Sequence, residues 1–581
     1  MKQIIVLVLL VGTLSACKDN YLERLPESQV GESQDFFNTE SGLAIYSNSF
    51  YNNIDYGSIT ADGNSDNMEA AVTPANIRYA NYTLPTALGS GGWHWNQLRN
   101  INYFIERCNA STVESQIRNE YTALAKFFRA KFYFEKVQSF GDVPWYSSPL
   151  NTNDEAALYK GRDPRVMVMD SVLNDLDFAI AHLPETKSKN RISKYTALAY
   201  KSRICLYEGT WRKYHAGLEG ADRFLNEAAS AAKTLMDKNV YRLYSTGNSE
   251  IDFRNLFQAT SVNTDEVILA YSFAPGKFHA YTAFFTVASR GTSGATRSLI
   301  SDFGMDDGRS FHEAYPDASV RDRMSYLQEM QERDPRLKQS IVHPGYVRAG
   351  TNIVSSHGDF VQNRTGYQIT KRVGAPSEDD AGDSRDVIML RYAEVLLNYA
   401  EARAELGQLN QEDLDLTINQ LRSRVGLPAR AYPLKTDEIQ LGRYRGTADP
   451  NILEVRRERR IELAFEGFRT NDLKRWAEGH LFRSTYEGIH IEGLNKPIDM
   501  NGDGSFDVYF YKGQAPADRI NNVLYVELQG QNGLSEGDKG RIIPYNLETP
   551  PFQVWEYLNP IPAEELVVNT KLVQNPGWDN L

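Results

Sequence analysis

Three stretches of this chain carry side chains of the types that hold ligands. The first is residues 61–95, where Asp62, Asn64, Asp66, Asn67 and Arg78 fall among the rings of Tyr79, Tyr82, Trp93 and Trp95. Sugar recognition needs that mixture: flat faces for the apolar side of a pyranose ring, and planar polar groups for its hydroxyls. Within it, "GSGGWHW" sets flexible glycines before two indoles. Trp93 is expected at the surface; Trp95 either meets ligand or opens the next helix and packs in the core. The second stretch is "YSFAPGKFHAYTAFF", residues 271–285, with Tyr271, Phe273, Phe278, His279, Tyr281, Phe284 and Phe285 around a Pro-Gly turn. It reads either as a stacking platform, with Tyr281 and Phe284 as its ligand-facing rings, or as the buried face of a strand.

The third stretch, "DMNGDGSFD" at residues 499–507, could hold a metal. Asp499, Asn501 and Asp503 alternate, followed by Gly504 and Asp507, which resembles the first nine positions of a calcium loop. Position twelve is Phe510, where a bidentate glutamate belongs, so a structural calcium ion needs an acid from elsewhere, such as Asp518. A metal-free run of Asx turns is the alternative. For catalysis there is less. Nothing resembles a nucleophile elbow, and the nine histidines form no HExxH pair. Carboxylate pairs for glycoside cleavage leave no trace of their separation in sequence.

The elements that must position these residues are mainly helical. Periodicity is strong over residues 95–108. It continues in "NEYTALAKFFRAKFYFEKVQSFGDVPW", where Leu124, Phe127, Phe128, Phe132 and Glu135 fall at helical steps and Gly141 and Pro144 end the run. "SKYTALAYKSRICLYEGTW" repeats the theme, with Cys205 expected as a buried thiol, and "LNEAASAAKTLM" offers a small-residue partner. Residues 239–383 break into short strands, turns and Gly-rich loops. Helices return at "DVIMLRYAEVLLNYAEARAELG", "DLDLTINQLRSRVG" and over residues 451–476; residues 480–560 read as loops. Paired helices with Ala and Tyr at facing positions suggest tetratricopeptide-like hairpins. The charge-rich 451–476 helix has an apolar stripe of Ile461, Ala464, Phe465 and Phe468. Its Glu462, Glu466 and Arg469 are either a solvated face or ties to Arg391 and Glu394.

Composition narrows the function. The 581 residues hold 63 Lys+Arg against 75 Asp+Glu, a net charge of −12. An acidic chain without a concentrated basic stretch is not built for nucleic acid. Residues 1–16 have the charged start, aliphatic run and small-residue end of a secretory signal, too short to span a bilayer. "LSAC" then resembles a bacterial lipobox, making Cys17 the acylated new N-terminus and a membrane tether.

"LRYAEVLLNYAEARAELG", "RRERRIELAFEGFRTNDLKRW" and "NPIPAEELVVNTKLVQNPGW" together resemble the SusD/RagB family of outer-membrane nutrient-binding lipoproteins. "LAKFFRAKFYFEKVQSFGDVPW", "FGMDDGRS", "ERDPRL" and "TGYQITK" match the same family in order. The resemblance implies a mainly α fold with four tetratricopeptide-like hairpins and a loop-rich ligand face. It implies a non-catalytic glycan binder, or peptide binder of the RagB type, facing the cell exterior as lid of a SusC-like TonB-dependent transporter. A surface glycosidase is the reading from another class. Carried over from starch-binding relatives, an aromatic, an acid and an arginine fall on Trp95, Asp66 and Arg78. The implied organisation is a signal peptide (1–16), tether (17–40), helical region (41–240), ligand-face insertion (241–384) and C-terminal region (385–581) packed on the same body.

Overall fold

The computed structural model describes residues 34–579, apart from 71–74, 275, 280, 288–292, 361–362, 380–381 and 529–532. Cys17 and the leader therefore lie outside the described residues. Eight helices organise the body: α1 (Asn96–Asn109), α2 (Ser115–Phe140), α3 (Arg165–His182), α4 (Lys194–Tyr214), α5 (Ala221–Asp237), α6 (Tyr392–Glu405), α7 (Pro450–Glu462) and α8 (Arg469–Arg475). Among the described residues no helix is long and apolar enough to cross a membrane.

Helix formation follows the apolar spacing. In α5, Phe224, Leu225, Ala228, Ala232 and Leu235 make one buried stripe at three- and four-residue steps. Its alanines let α4 approach so closely that a Cβ on Gly209 would stand 2.8 Å from Leu225 Cγ. α2 ends where expected, with Gly141 at φ 74° returning its N–H to the Val137 carbonyl. α1 packs on α2, α2 on α3 and α3 on α4. α5 packs on α4 and on α6, so one helix pair is closed across the whole insertion. Cys108 and Cys205 are free buried thiols, the second as the sequence suggested.

Residues 239–383 hold the expected short strands and turns but also short helices not expected from the sequence, among them Asp252–Gln258, Arg297–Asp302 and Ala318–Arg323. They are stitched to the long helices by β1 (Val267–Tyr271), which pairs antiparallel with β2 (Val387–Arg391) just before α6. Residues 480–560 depart from the loop reading. They carry two three-stranded sheets, one built from β3 (Pro497–Ile498), β4 (Val508–Tyr511) and β5 (Leu524–Glu527), with β4 and β5 parallel. Single short strands between Gly and Asp turns leave too little alternation for the eye to catch. A second apolar core, including Leu299, Leu337, Ile369, Phe465, Ile489 and Phe510, joins these sheets to the insertion.

The expected single helix over 451–476 is two. α7 stops at Glu462, and the chain turns through Phe465 at φ 64° and Gly467 at φ 87° before α8 begins. Two side chains hold this break. The buried carboxylate of Asp62 accepts the N–H of Phe465 at 2.7 Å and of Arg469 at 3.0 Å, while Lys371 Nζ donates to the carbonyls of Glu462 and Ala464. A bulky residue tolerates positive φ only when its surroundings fix it there.

Every residue of α7 from Ile452 to Glu462 is buried, charges included. The solvated-face reading is thereby excluded. Glu462 accepts from Arg391 at 2.7 Å and from Arg424 at 2.8 Å, and lies 3.3 Å from Arg336. Glu466 pairs with Arg391 at 2.6 Å and Lys371 at 2.7 Å. Glu394 pairs with Arg203 instead of α7. The surrounding cations hold Glu462 well below the usual carboxylate range and Glu466 at about 2, outweighing the burial that opposes ionisation.

Both folded-state values lie below the unfolded value of 4.5, so their contribution is complete above that pH and is lost as pH falls. Glu462→Ala takes one partner from each of three buried cations and should cost about 3–5 kcal/mol in urea denaturation, with a transition shifted to higher pH on acid titration. Cutting the exposed pair Lys233–Asp237 should cost below about 1 kcal/mol.

Candidate functional site

Most of the polar residues of 61–95 turn inward. Asp66 gives both carboxylate oxygens to cations: Arg469 Nε at 2.7 Å and Arg460 Nη2 at 2.9 Å. These two hold its pKa down at about 2 against its burial. Asn67 accepts from Arg460 Nε at 2.8 Å and donates to Asp62. Arg78 is buried in a pair with Glu69, its guanidinium 3.6 Å over the Tyr486 ring. Both residues are buried away from any ligand surface, which corrects both assignments: Asp66 is a strut between the N-terminal segment and the α7–α8 corner, and Arg78 is held inside by Glu69 and the Tyr486 ring.

The two indoles also depart from expectation. Trp93 is the buried one, edge-on to Phe140 with centroids 4.8 Å apart. The turn before it has Gly89, Gly91 and Gly92 all at positive φ, and the Gly92 carbonyl accepts from Lys136 Nζ. That turn drives Trp93 down onto α2. Trp95 is half-buried against Phe132, Tyr133 and Tyr146 at the start of α1. It opens the helix and packs, the second of its two readings.

The aromatic stretch at 271–285 divides. Tyr271 and Phe273 join Tyr56 in a half-buried cluster, with Tyr56–Tyr271 centroids 4.6 Å apart. Phe278 is exposed, whereas Phe285 enters the second core. Tyr281 and Phe284 fall in the helix Tyr281–Thr286, and their side chains lie outside the described residues.

The 499–507 loop closes on its own backbone. Asp499 accepts the N–H groups of Asn501, Gly502 and Gly504; Asp503 accepts from Ser505 and from the Asn501 amide; Asp507 accepts from Met500. Phe510, at the position of the missing glutamate, is fully buried in β4 against Phe360. Among the described residues no three His, Cys, Asp or Glu converge as a metal site. The geometry is that of the Asx-turn alternative, and the residues present do not form a calcium cage.

What residues 61–95 do contribute is one wall of a cleft of about 350 Å³. Asn64, Ile77, Tyr82, Thr83, Pro85 and Gly91 face Thr470 and Lys474 of α8, and Glu556, Asn559, Pro560 and Trp578 close the far side. Thr470 and Lys474 sit four residues apart on one face of α8. The opposite face sends Asp472 to Arg459 and Arg475 to Glu401. Tyr82, Trp555 and Trp578 form an aromatic corner: Tyr82–Trp578 centroids are 5.3 Å apart and Trp555–Trp578 4.6 Å. The Tyr82 hydroxyl donates to Glu556 Oε2 at 2.5 Å, and burial with this bond raises its pKa. Glu556 also pairs with Arg483 and accepts the Gln553 N–H. Burial lowers the Lys474 pKa to about 8, with Glu556 opposing.

A cleft with aromatic edges, an amide pair, a hydroxyl and a cation is suited to a polyhydroxylated ligand. Asn64 and Tyr82 were among the residues flagged in sequence. Lys474, Glu556, Asn559 and Trp578 were not, although "VWEYLNPIP" is dense enough in rings and amides to have drawn notice.

A family model described as the SusD family matches residues 285–578, and a second, described as starch-binding associating with outer membrane, matches residues 20–206. A protein of Formosa agariphila named SusD-like protein P2 is 25% identical over 505 residues, 82% of this chain and 91% of that one. Another, named SusD-like protein, from Bacteroides ovatus, is 21% identical over 531 residues, 84% of this chain and 85% of its own. Among solved structures, a SusD-like protein of Bacteroides fragilis superposes with a TM-score of 0.69 at 24% identity, covering 94% of this chain and 98% of that chain. A SusD-like carbohydrate binding protein of the same species gives 0.67 at 22%, covering 93% and 100%.

Trp93→Ala opens a core cavity and should lower stability by about 3–5 kcal/mol in thermal or urea unfolding. Sugar affinity of the folded variant should equal that of the parent, because the indole meets no ligand.

Proposed function

Since the chain belongs to the SusD family, we propose that it captures glycans outside the cell and passes them to a SusC-like TonB-dependent outer-membrane transporter, closing over the barrel as its lid. Acyl chains on Cys17 hold it at the outer membrane. The protein binds its sugar and leaves every glycosidic bond intact.

The observation that carries this reading is the Tyr82–Trp578 cleft. It combines ring edges with Asn64, Thr470, Asn559 and Lys474 on walls fixed by buried ion pairs. A peptide would ask first for backbone-spaced donors and acceptors, such as a free sheet edge. The descriptions of the N-terminal family model as starch-binding, and of one B. fragilis neighbour as carbohydrate binding, support a glycan.

Isothermal titration of the mature chain against a panel of oligosaccharides tests the reading. At least one should bind, and Tyr82→Ala and Asn64→Ala should each weaken it by about tenfold while thermal stability changes little. Binding of peptides alone, or release of reducing ends from a bound polymer, overturns it. Co-purification of the transporter with the lipidated protein, lost in Cys17→Ala, checks the tether and its partner.

A further inference from the structure

Lys474 is the one charge in the cleft wall without a counter-charge. Among the described residues its Nζ has no acid within ion-pair distance and no hydrogen-bond partner, although the chain pairs nearly every other buried cation. The nearest carboxylate, Glu556, is already committed to Arg483, the Tyr82 hydroxyl and the Gln553 N–H. From the helix side, the His215 ring, stacked on Trp211, meets Lys474 through its backbone carbonyl, and burial lowers the His215 pKa to about 4. The stretches 82–91 and 559–560 bring no charge to the cleft lining. The cleft therefore carries an uncompensated positive charge beside its aromatic corner. Lys474 is half-buried, so its ammonium has lost part of its hydration and an anion entering the cleft would replace it.

We infer that the cleft takes an acidic sugar, with the carboxylate of a uronic acid or the sulfate of a sulfated residue seated on Lys474 Nζ. This rests on the cleft being the glycan site. The sugar ring lies against Tyr82 and Trp578, while the Asn559 amide and the Thr470 hydroxyl oxygen, whose proton goes to the Ala61 carbonyl, meet the sugar hydroxyls. A bound anion supplies the partner that Glu556 cannot, so occupancy raises the affinity of the ammonium for its proton. In the free protein the amine loses its charge as pH passes about 8, and with it the attraction for the anion.

Matched neutral, galacturonate-containing and sulfated galactose hexasaccharides decide it by titration calorimetry. At least one acidic probe binds, about tenfold or more tighter than the neutral one, and the two acidic arms tell carboxylate from sulfate. Lys474→Gln weakens the acidic probe by about tenfold to a hundredfold, the range of a charge-assisted hydrogen bond, and Lys474→Arg restores most of it. Wild-type affinity for the acidic probe falls as pH rises through about 8, and the fall is absent in Lys474→Gln. The thermal midpoint of Lys474→Gln holds or rises; a drop would mark a structural role and overturn the inference. An acidic probe indifferent to Lys474→Gln but lost in Tyr82→Ala overturns the inference and leaves the cleft as the sugar site. Indifference to both variants removes both, and binding of the neutral probe alone, or of none, overturns the acidic specificity.

Discussion

Glu462 is the point on which the rest of the structure depends. Three arginines converge on its carboxylate, from β2, from the segment after α6 and from the insertion: Arg391, Arg424 and Arg336. Each of those cations is shared onward, Arg391 to Glu266 and Glu466, Arg336 to Asp334 and Glu458, and Arg424 to Glu266. Desolvating so many charges is costly, and the cost is met only where each finds partners in good geometry. An apolar core could fill the same space, but it would not dictate which of several loops lies where. A fork of guanidinium bonds does, because it has direction.

The Tyr82–Trp578 cleft inherits its shape from this network. α8 is short, and its two faces are divided between tasks: Asp472 and Arg475 are locked into the ionic core, so Thr470 and Lys474 must point the other way. The corner between α7 and α8, held by Asp62, sets the angle at which that outer face meets the 82–91 turn. Burial and exposure are thus decided residue by residue along a helix of seven.

How much of this was legible follows from distance along the chain. The helices of the first half announced themselves, since α5 and its neighbours carry their apolar stripes locally. The membership of the family was legible in the charge-rich segment of α7 and in the C-terminal stretch. The break at Phe465 was not, because its cause sits at Asp62, 403 residues away. Asp66 read as a ligand acid for the same reason: nothing beside it in sequence reveals that Arg469 and Arg460 consume it. Trp93 is buried against its surface reading because three glycines, not periodicity, turn that indole under. At 499–507 the pattern was right for oxygen donors and silent on whether backbone N–H groups would claim them first.

The bonds from Asp62 and Asp66 to the α7–α8 corner also set an order on assembly. A polypeptide halted before Arg460 leaves both aspartates with neither the cations nor the amides that complete them. The earliest loop of the body is thus finished among the latest, and closure over so long a span makes a native state of high contact order, slow to reach. The corner that anchors the N-terminal segment is therefore complete only once α7 and α8 have been made.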